Sequence, residues 1–396
     1  MIKMKIRTIK ELKGKIKDKK VLVRTDYNVP LKYKGKRIEI DDDFRIRISL
    51  ETLKFLRREG ARITIITHLG RPKGKDAKLS LEPIAKKLSK LLRTRVILIK
   101  DYSCIEEVLK WQTDEIILLE NLRYNEGEEK NSKRFARKIA KHFDLFVFDA
   151  FSTAHRKHAS TYQIPSMLKT YAGFRFVKEV QNLNKVLKTK KKIGLIIGGL
   201  KINTKIGLIN NLADRSKSIL IGGAMMFTFL KAQGKEIGKS IFKEDEIKTA
   251  NKIIKNHEKK LVLPKDAVCA LKREVKTKKQ TRVFSTEEIP KNYIGLDIGP
   301  KTVKLFKEEI AKSKVIVWNG PLGYYENKLF VEGTAKIMRW LSKQKSYRLI
   351  CGGDTATVVR KLKLDKKFDF VSSGGGASLF FLSGKKFPIM KFIEKQ

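Results

Sequence analysis

Four apolar runs in the first 160 residues of this sequence end in groups that bind anions. VLVRTDYN leads to Asp26 and Asn28, ITIITHLGR to His68 and Arg71, EIILLENLR to Arg123, and LFVFDAFSTAHR to Arg156. Guanidinium groups grip phosphate and carboxylate as rigid planar forks, and a carboxylate or amide beside them can hold a hydroxyl. The runs of the second half end in glycine instead, at Gly198-Gly199, Gly222-Gly223, Gly352-Gly353 and Gly374-Gly375-Gly376. Such turns let backbone N–H groups approach a phosphate closely. A single Arg after a strand is ordinarily a surface group, and a single Gly pair only a tight turn. Four of each, segregated by half, point to a small phosphorylated anion on one side and a nucleotide on the other. That is the chemistry of a phosphotransferase.

The elements that must position these groups are legible in outline. The runs lack polar alternation, which reads as buried parallel strands, and amphipathic segments such as Leu81 to Leu92 read as the helices between them. The predicted fold class is α/β, with two open parallel sheets of Rossmann-like design, ligands sitting beyond the carboxyl ends of the strands. The expected division is residues 1–172 for the anion-binding domain and 191–378 for the nucleotide-binding domain. Residues 173–190 form a joining helix, from about Phe174 to Thr189, that is a hinge candidate. Residues 379–396 return to the first domain.

Composition narrows the class further. The chain has 396 residues, 41% of them hydrophobic and 33% charged, enough for two or three cores. The longest charge-free stretch, Phe370 to Gly384, has 15 residues, too short for a membrane helix of ~20. Cys104, Cys269 and Cys351 are scattered without disulfide or zinc spacing, which fits a reducing cytoplasm. The 89 Lys and Arg against 42 Asp and Glu give a formal charge of +47. The lysines occur in every segment, with no aromatic-interleaved basic motif. A dedicated nucleic-acid partner is therefore not expected, while weak nonspecific polyanion binding at low salt is.

Nine motifs taken in order carry a resemblance: RTDYNVP, THLGRPKG, LLENLRYNEGEEKN, DAFSTAHRKHAST, IIGGLKINTKI, LDIGPKT, VWNGPLGYYE, CGGDTAT and SSGGGASL. Their order and spacing, from about Val21 to Pro388, resemble those of the phosphoglycerate kinases. The resemblance implies reversible Mg²⁺-dependent phosphoryl transfer between 1,3-bisphosphoglycerate and ADP, in glycolysis and gluconeogenesis, by a monomer whose two domains close on the substrates. It implies a 3-phosphoglycerate site made of Asp26, Asn28, Arg45, His68, Arg71, Arg123 and Arg156. Arg45 falls where the family places an arginine beside the transferring phosphoryl group; Arg47 is its nearest competitor, with an exposed helix position as the alternative. For ATP or ADP the resemblance implies Lys201, Lys205, Gly295, Asn319, Pro321, Gly323, Glu326, Gly352, Gly353, Asp354 and Thr355. Asp354 is the implied Mg²⁺ ligand, and Glu326 meets the ribose. Arg45, Lys201, Gly352 and Gly375 form the implied catalytic set.

From spacing alone, Lys201 and Lys205 would share one face of a helix, and Asp354 after Gly-Gly would be a helix N-cap. Gly374 to Gly376 would open a helix. Several positions depart from the family's usual residues: Ser152 for Gly, Leu200 for Ala, Thr204 for Asp, Lys265 for Val, Cys351 for Gly, and Phe380 and Ser383 for Glu. None removes a charge assigned to catalysis, but Leu200 and Cys351 bear on the nucleotide pocket. A rival phosphate loop, Gly234-Lys-Glu-Ile-Gly238-Lys239-Ser240, is one residue shorter than G-x-x-x-x-G-K-[ST]. It follows a helix rather than a strand, with Gly234 just past the last turn. His155 and His158 lack a third ligand for a metal. The basic run Leu271 to Arg282 reads as a solvated loop or strand edge.

Overall fold

The runs that end in Arg, His and Asn become neighbouring strands of one parallel sheet. The computed structural model describes residues 6–35, 37–112 and 114–395. Across the first sheet the order is Val96–Ile99, Ile116–Leu119, Arg62–Ile66, Lys20–Arg24, Leu145–Phe148 and Lys169–Ala172. Every pairing is parallel, so all carboxyl ends lie along one edge. Val21, Val23, Ile63, Ile65 and Leu118 are buried, together with Ile84, Ala85 and Leu88 from the Glu82–Leu92 helix. Helices covering both faces explain why these strands read as unbroken apolar runs.

The glycine-ended runs build a second parallel sheet. Its order is Leu261–Val262, Ser216–Ile221, Ile193–Ile197, Val315–Asn319, Tyr347–Cys351 and Phe370–Val371. Beside it lies an element the sequence reading did not anticipate, an antiparallel sheet with Asp266–Ala270 between Thr281–Ser285 and Ile294–Ile298. Thr281–Ser285 has no buried residue, as an edge strand allows, and its Arg282 closes the basic run that reads as a solvated loop or strand edge.

The chain forms two compact units, Met1–Gln181 with Lys386–Gln396, and Asn182–Lys385. The boundary falls within the Phe174–Lys188 helix. In the first unit the returning segment is held by Arg7 N donating to Ile393 O at 2.7 Å, and by the Phe387 ring set edge-on to Phe151 at 5.5 Å. Among the described residues no helix is long and apolar enough to cross a membrane.

Asp149, at the end of the Leu145–Phe148 strand, anchors the start of the Phe174–Lys188 helix. Its Oδ1 accepts from Phe176 N at 2.9 Å, while its buried Oδ2 has no hydrogen-bond partner. Burial pushes this carboxyl up to about 7, against the pull of the Phe176 N–H, the Thr52 hydroxyl and the nearby Arg175 guanidinium. A carboxyl raised in the folded state binds protons that the unfolded chain has released. Its contribution is therefore complete below about pH 4 and is lost as pH rises through about 7. Asp149→Asn keeps the oxygen acceptor and removes the titration. We expect its melting temperature to fall less than the parent's between pH 5 and 7, as read by circular dichroism; parallel profiles would exclude the titration.

Candidate active site

The loops beyond four adjacent strands of the first sheet carry the basic set. Asp26 organises it: Oδ1 accepts from Asn28 N at 3.0 Å, and Oδ2 accepts from the Arg45 guanidinium and the Ser152 hydroxyl. Asn28 Oδ1 in turn accepts from Gly70 N at 2.8 Å, and Arg123 donates to Gly70 O at 2.6 Å. Three loops are thus tied at Gly70. Arg123 is buried and also pairs with Glu129 at 2.9 Å; Arg156 is half-buried and Arg71 exposed. Arg45, at 23% exposure, faces Asp26, whereas Arg47, at 56%, bonds Asp43 at 2.8 Å and points elsewhere. Of the two arginines, Arg45 joins the Asp26 cluster and Arg47 does not.

His68 registers how much positive charge converges here. Burial, then Arg24, Arg123, Arg45 and Arg156, hold its imidazole well below the usual histidine range. It is neutral at pH 7. Its Nδ1 lies 3.2 Å from Arg24 Nη2, a group that can only donate, so the ring proton sits on Nε2. His155 and His158 are likewise pushed down to about 4 by burial and Arg156.

Beneath the set lies a network that sequence reading missed. Arg24, 1% exposed, donates through Nε to Ser160 Oγ at 2.9 Å and sits 3.9 Å from the buried Glu128 carboxylate. Glu128 accepts from Ser160 N at 2.9 Å and from Ser160 Oγ at 2.6 Å. The available signal was an arginine closing the apolar, buried run Val21 to Val23, which requires a buried acidic partner.

In the second unit the glycine turns are laced together by main chain. Gly198 N donates to Asn319 O at 2.8 Å, Gly199 N to Pro321 O at 2.9 Å, and Gly223 N to Leu322 O at 2.9 Å. A side-chain carbon at Gly198 would stand 2.1 Å from Pro321 O, so no other residue fits. Gly320 N donates to the buried Thr355 hydroxyl at 2.7 Å. These turns border a cavity of about 320 Å³ lined by Gly295, Pro321, Gly323, Glu326 and Asp354, with Phe227, Arg273 and Tyr324 among its other walls. That volume suits a small organic ligand. Leu200 is also in the wall, whereas the buried Cys351 ends its strand one residue before the Gly352 turn.

Two local expectations are corrected. The helix after Gly198-Gly199 begins at Ile206, so Lys201 and Lys205 lie in the preceding turn rather than on one helix face. The cause is the buried Glu246, whose carboxylate takes the N–H groups of Ile202 at 2.6 Å and Asn203 at 3.2 Å and holds the turn open. The Lys205 ammonium donates to Lys201 O at 3.2 Å; burial lowers its pKa, partly offset by Glu246 and Asp354. The second correction concerns Asp354. The N-cap of the Gly353–Lys361 helix is Gly352, at φ 98°, and Asp354 stands in the first turn with its carboxylate exposed. Its Oδ1 accepts from Tyr325 OH at 3.0 Å. Gly376–Leu382 forms a helix as expected, with Gly375 as its N-cap; a side-chain carbon at Gly375 would lie 3.6 Å from Gly352 Cα. The two glycine turns are therefore neighbours.

The GKEIGKS stretch is not a phosphate loop. Its helix, Met225–Ala232, ends before Gly234, which takes φ 77°. Lys239 N donates to Tyr293 O at 2.8 Å, and Ser240 Oγ accepts from Gly295 N at 2.9 Å. The stretch supports the cavity wall from behind. Lys239→Ala should leave ATP affinity nearly unchanged in calorimetry, while Lys205→Ala weakens it about tenfold or more, as for a hydrogen-bonded charge; the reverse pattern would restore the rival loop.

A basic side-chain pocket in one α/β unit and glycine turns around a ligand-sized cavity in the other make up the equipment of a kinase. Comparison with known proteins narrows that class. The family model for phosphoglycerate kinase matches residues 9–385. A phosphoglycerate kinase of Dictyoglomus turgidum is 44% identical over 399 residues, covering 98% of this chain and 99% of the relative. The solved phosphoglycerate kinase of Coxiella burnetii aligns with a TM-score of 0.81 at 34% identity, covering 98% of both chains. That of Pyrococcus horikoshii gives 0.86 at 26%, again over 98% of both. The chain belongs to the phosphoglycerate kinase family.

Proposed function

We propose that this chain moves a phosphoryl group reversibly between 1,3-bisphosphoglycerate and ADP, giving 3-phosphoglycerate and ATP, in glycolysis and gluconeogenesis. The observation that carries the reading is the pairing, in one chain, of convergent arginines in one unit with neighbouring glycine turns in the other. Arg71, Arg123 and Arg156 take the phosphate of the three-carbon substrate, His68 donates from Nε2, and Asp26 and Asn28 hold its hydroxyl. Arg45 meets the transferring group. On the nucleotide side, Gly295, Asn319, Pro321 and Gly323 flank the adenosine, and Glu326 meets the ribose. Lys205 and the turn formed by Gly353 and Thr355 meet the phosphates. Lys201, Gly352 and Gly375 neutralise charge on the group in flight. Positioning and charge neutralisation are nearly all this chemistry asks of a protein, because the attacking oxygen belongs to a substrate.

Asp354 fits a role in holding Mg²⁺. Among the described residues no cluster of three or more His, Cys, Asp or Glu could cage an ion, but Mg²⁺ is commonly held by one or two carboxylates plus substrate phosphates. Bound there, it would supply charge neutralisation to the nucleotide phosphates. The two residue sets belong to different units, so transfer requires closure, and the Gly173–Thr189 segment is the hinge of this proposal. The protein is proposed to work as a cytoplasmic monomer. Purified protein with ATP, Mg²⁺ and 3-phosphoglycerate should drive NADH oxidation in an assay coupled to glyceraldehyde-phosphate dehydrogenase. No signal at any salt concentration would exclude the reading.

A further inference from the structure

The Lys133–Ala140 helix carries charge that its own stability does not call for. From Lys133 to Lys141 the exposed positions are Lys133, Arg134, Arg137, Lys138 and Lys141, and the remaining four are buried and apolar. None of the five cations bonds a carboxylate among the described residues. Three i,i+4 pairs of like charge oppose the helix, and cations at its first turn face the positive end of its dipole. Other lysines of the same unit sit at paired positions, such as Lys86 with Glu82 at 2.7 Å and Lys178 with Glu51 at 2.6 Å.

The cationic face continues into a cavity. A hollow of about 410 Å³ is lined by those five side chains alone. It shares Lys138 and Lys141 with a cavity of about 500 Å³ at the carboxyl ends of Val96–Ile99 and Ile116–Leu119. There Lys75 and Lys100 join the cations, and the half-buried Tyr102 and Tyr124 provide aromatic surface, with the buried Phe135 also in the lining. The Tyr102 and Phe135 rings lie nearly parallel, 6.1 Å apart. Both tyrosine hydroxyls are anchored, Tyr102 on Glu120 O and Tyr124 on Asp76 O. Of the acids in the lining, Glu120 is occupied by Ser80, Leu81 and Asn121, and Asp101 by Ser103; Glu106 is the third. The aromatic interleaving that no linear stretch contains is thus assembled in space from residues 100–103, 120–125 and 133–141.

We propose that this face binds single-stranded nucleic acid without sequence preference, the helix tracking the backbone and the aromatic cavity admitting a base. A cationic groove beside aromatic surface is the recurring form of such sites. A membrane surface suits it less, because the helix's apolar face is already buried in the protein and has nothing to insert.

The test is fluorescence anisotropy of a labelled oligouridylate of about 16 nucleotides, titrated with the full-length protein between about 50 and 200 mM KCl. The triple variant Arg134→Glu, Arg137→Glu, Lys138→Glu should weaken binding at least about tenfold and lower the salt slope by about 2, near 0.7 per lost contact. A control triple on the Ile247–His257 helix, Lys248→Glu, Lys252→Glu, Lys255→Glu, makes the same change in net charge at exposed positions and should stay near the parent. Tyr102→Leu should weaken oligouridylate more than inorganic polyphosphate of similar length. Circular dichroism and the coupled kinase assay check that each helix variant is folded. Equal losses in the two triples, equal effects of Tyr102→Leu on both probes, or capture of phosphatidylserine vesicles without binding of RNA would each overturn the proposal.

Discussion

Replacing Arg45 by alanine should lower kcat about a thousandfold or more, the scale seen when an arginine on a transferring phosphoryl group is removed. The side chain is docked on Asp26 yet 23% exposed, so it is oriented and still reachable by substrate. An interaction made in the transition state takes kcat and kcat/KM down together, whereas loss of ground-state binding alone would raise KM and spare kcat. Lys201→Ala should behave like Arg45→Ala. Arg47→Ala is the internal control, because Arg47 is turned to Asp43 at 2.8 Å, and its kcat should stay close to the parent's. Arg45→Lys would not rescue, since a point charge lacks the planar fork. An unchanged kcat in Arg45→Ala would show that another group neutralises the phosphoryl oxygens.

Glu128→Ala should destabilise the first unit by about 3–5 kcal/mol, the usual cost of stranding one member of a buried ion pair. Arg24 and Glu128 are each 1% exposed at the side chain, and Ser160 bridges them. Removing the carboxylate leaves a guanidinium in the core with only neutral acceptors. The loss should appear in urea denaturation as an earlier midpoint for the first unit. Arg24→Met combined with Glu128→Leu should recover much of it, because an apolar pair of similar volume carries no desolvation cost. That double variant should still bind 3-phosphoglycerate poorly, since His68 would lose the Arg24 contact that fixes its tautomer. A single Glu128→Ala variant as stable as the parent would mean that water or another carboxylate replaces the partner.

The parts of the fold that were legible in the sequence are those in which burial repeats. Val21 to Val23, Ile63 to Ile66 and Ile193 to Ile197 are buried on both faces and, Thr64 apart, carry no polar side chain, and that pattern survives any enrichment in lysine. The motif residues around them were legible for the same reason, being tied to strand ends. What escaped reading depends on partners distant in sequence. Glu246 decides where the helix after Lys205 starts, from 44 residues away, and nothing in KINTK announces it. The Arg24–Glu128 pair spans 104 positions. Thr281–Ser285 was hard to read for another reason: none of its residues is buried, and the pairing that defines it is made by backbone with a strand read at no point in the sequence.

The lacing of Gly198, Gly199 and Gly223 to their neighbours uses peptide groups, while Gly320 is also held by the Thr355 hydroxyl and the Trp318 indole. A substitution elsewhere in the chain cannot rewrite that pattern, because main-chain atoms are the same whatever codon is read. Drift toward lysine would change side chains and leave peptide groups as they are, even in a chain that carries +47. The turns are a part of the molecule on which such drift has no purchase. Selection there needs to defend only the absence of a side chain, which makes the glycine wall tolerant of an extreme composition around it.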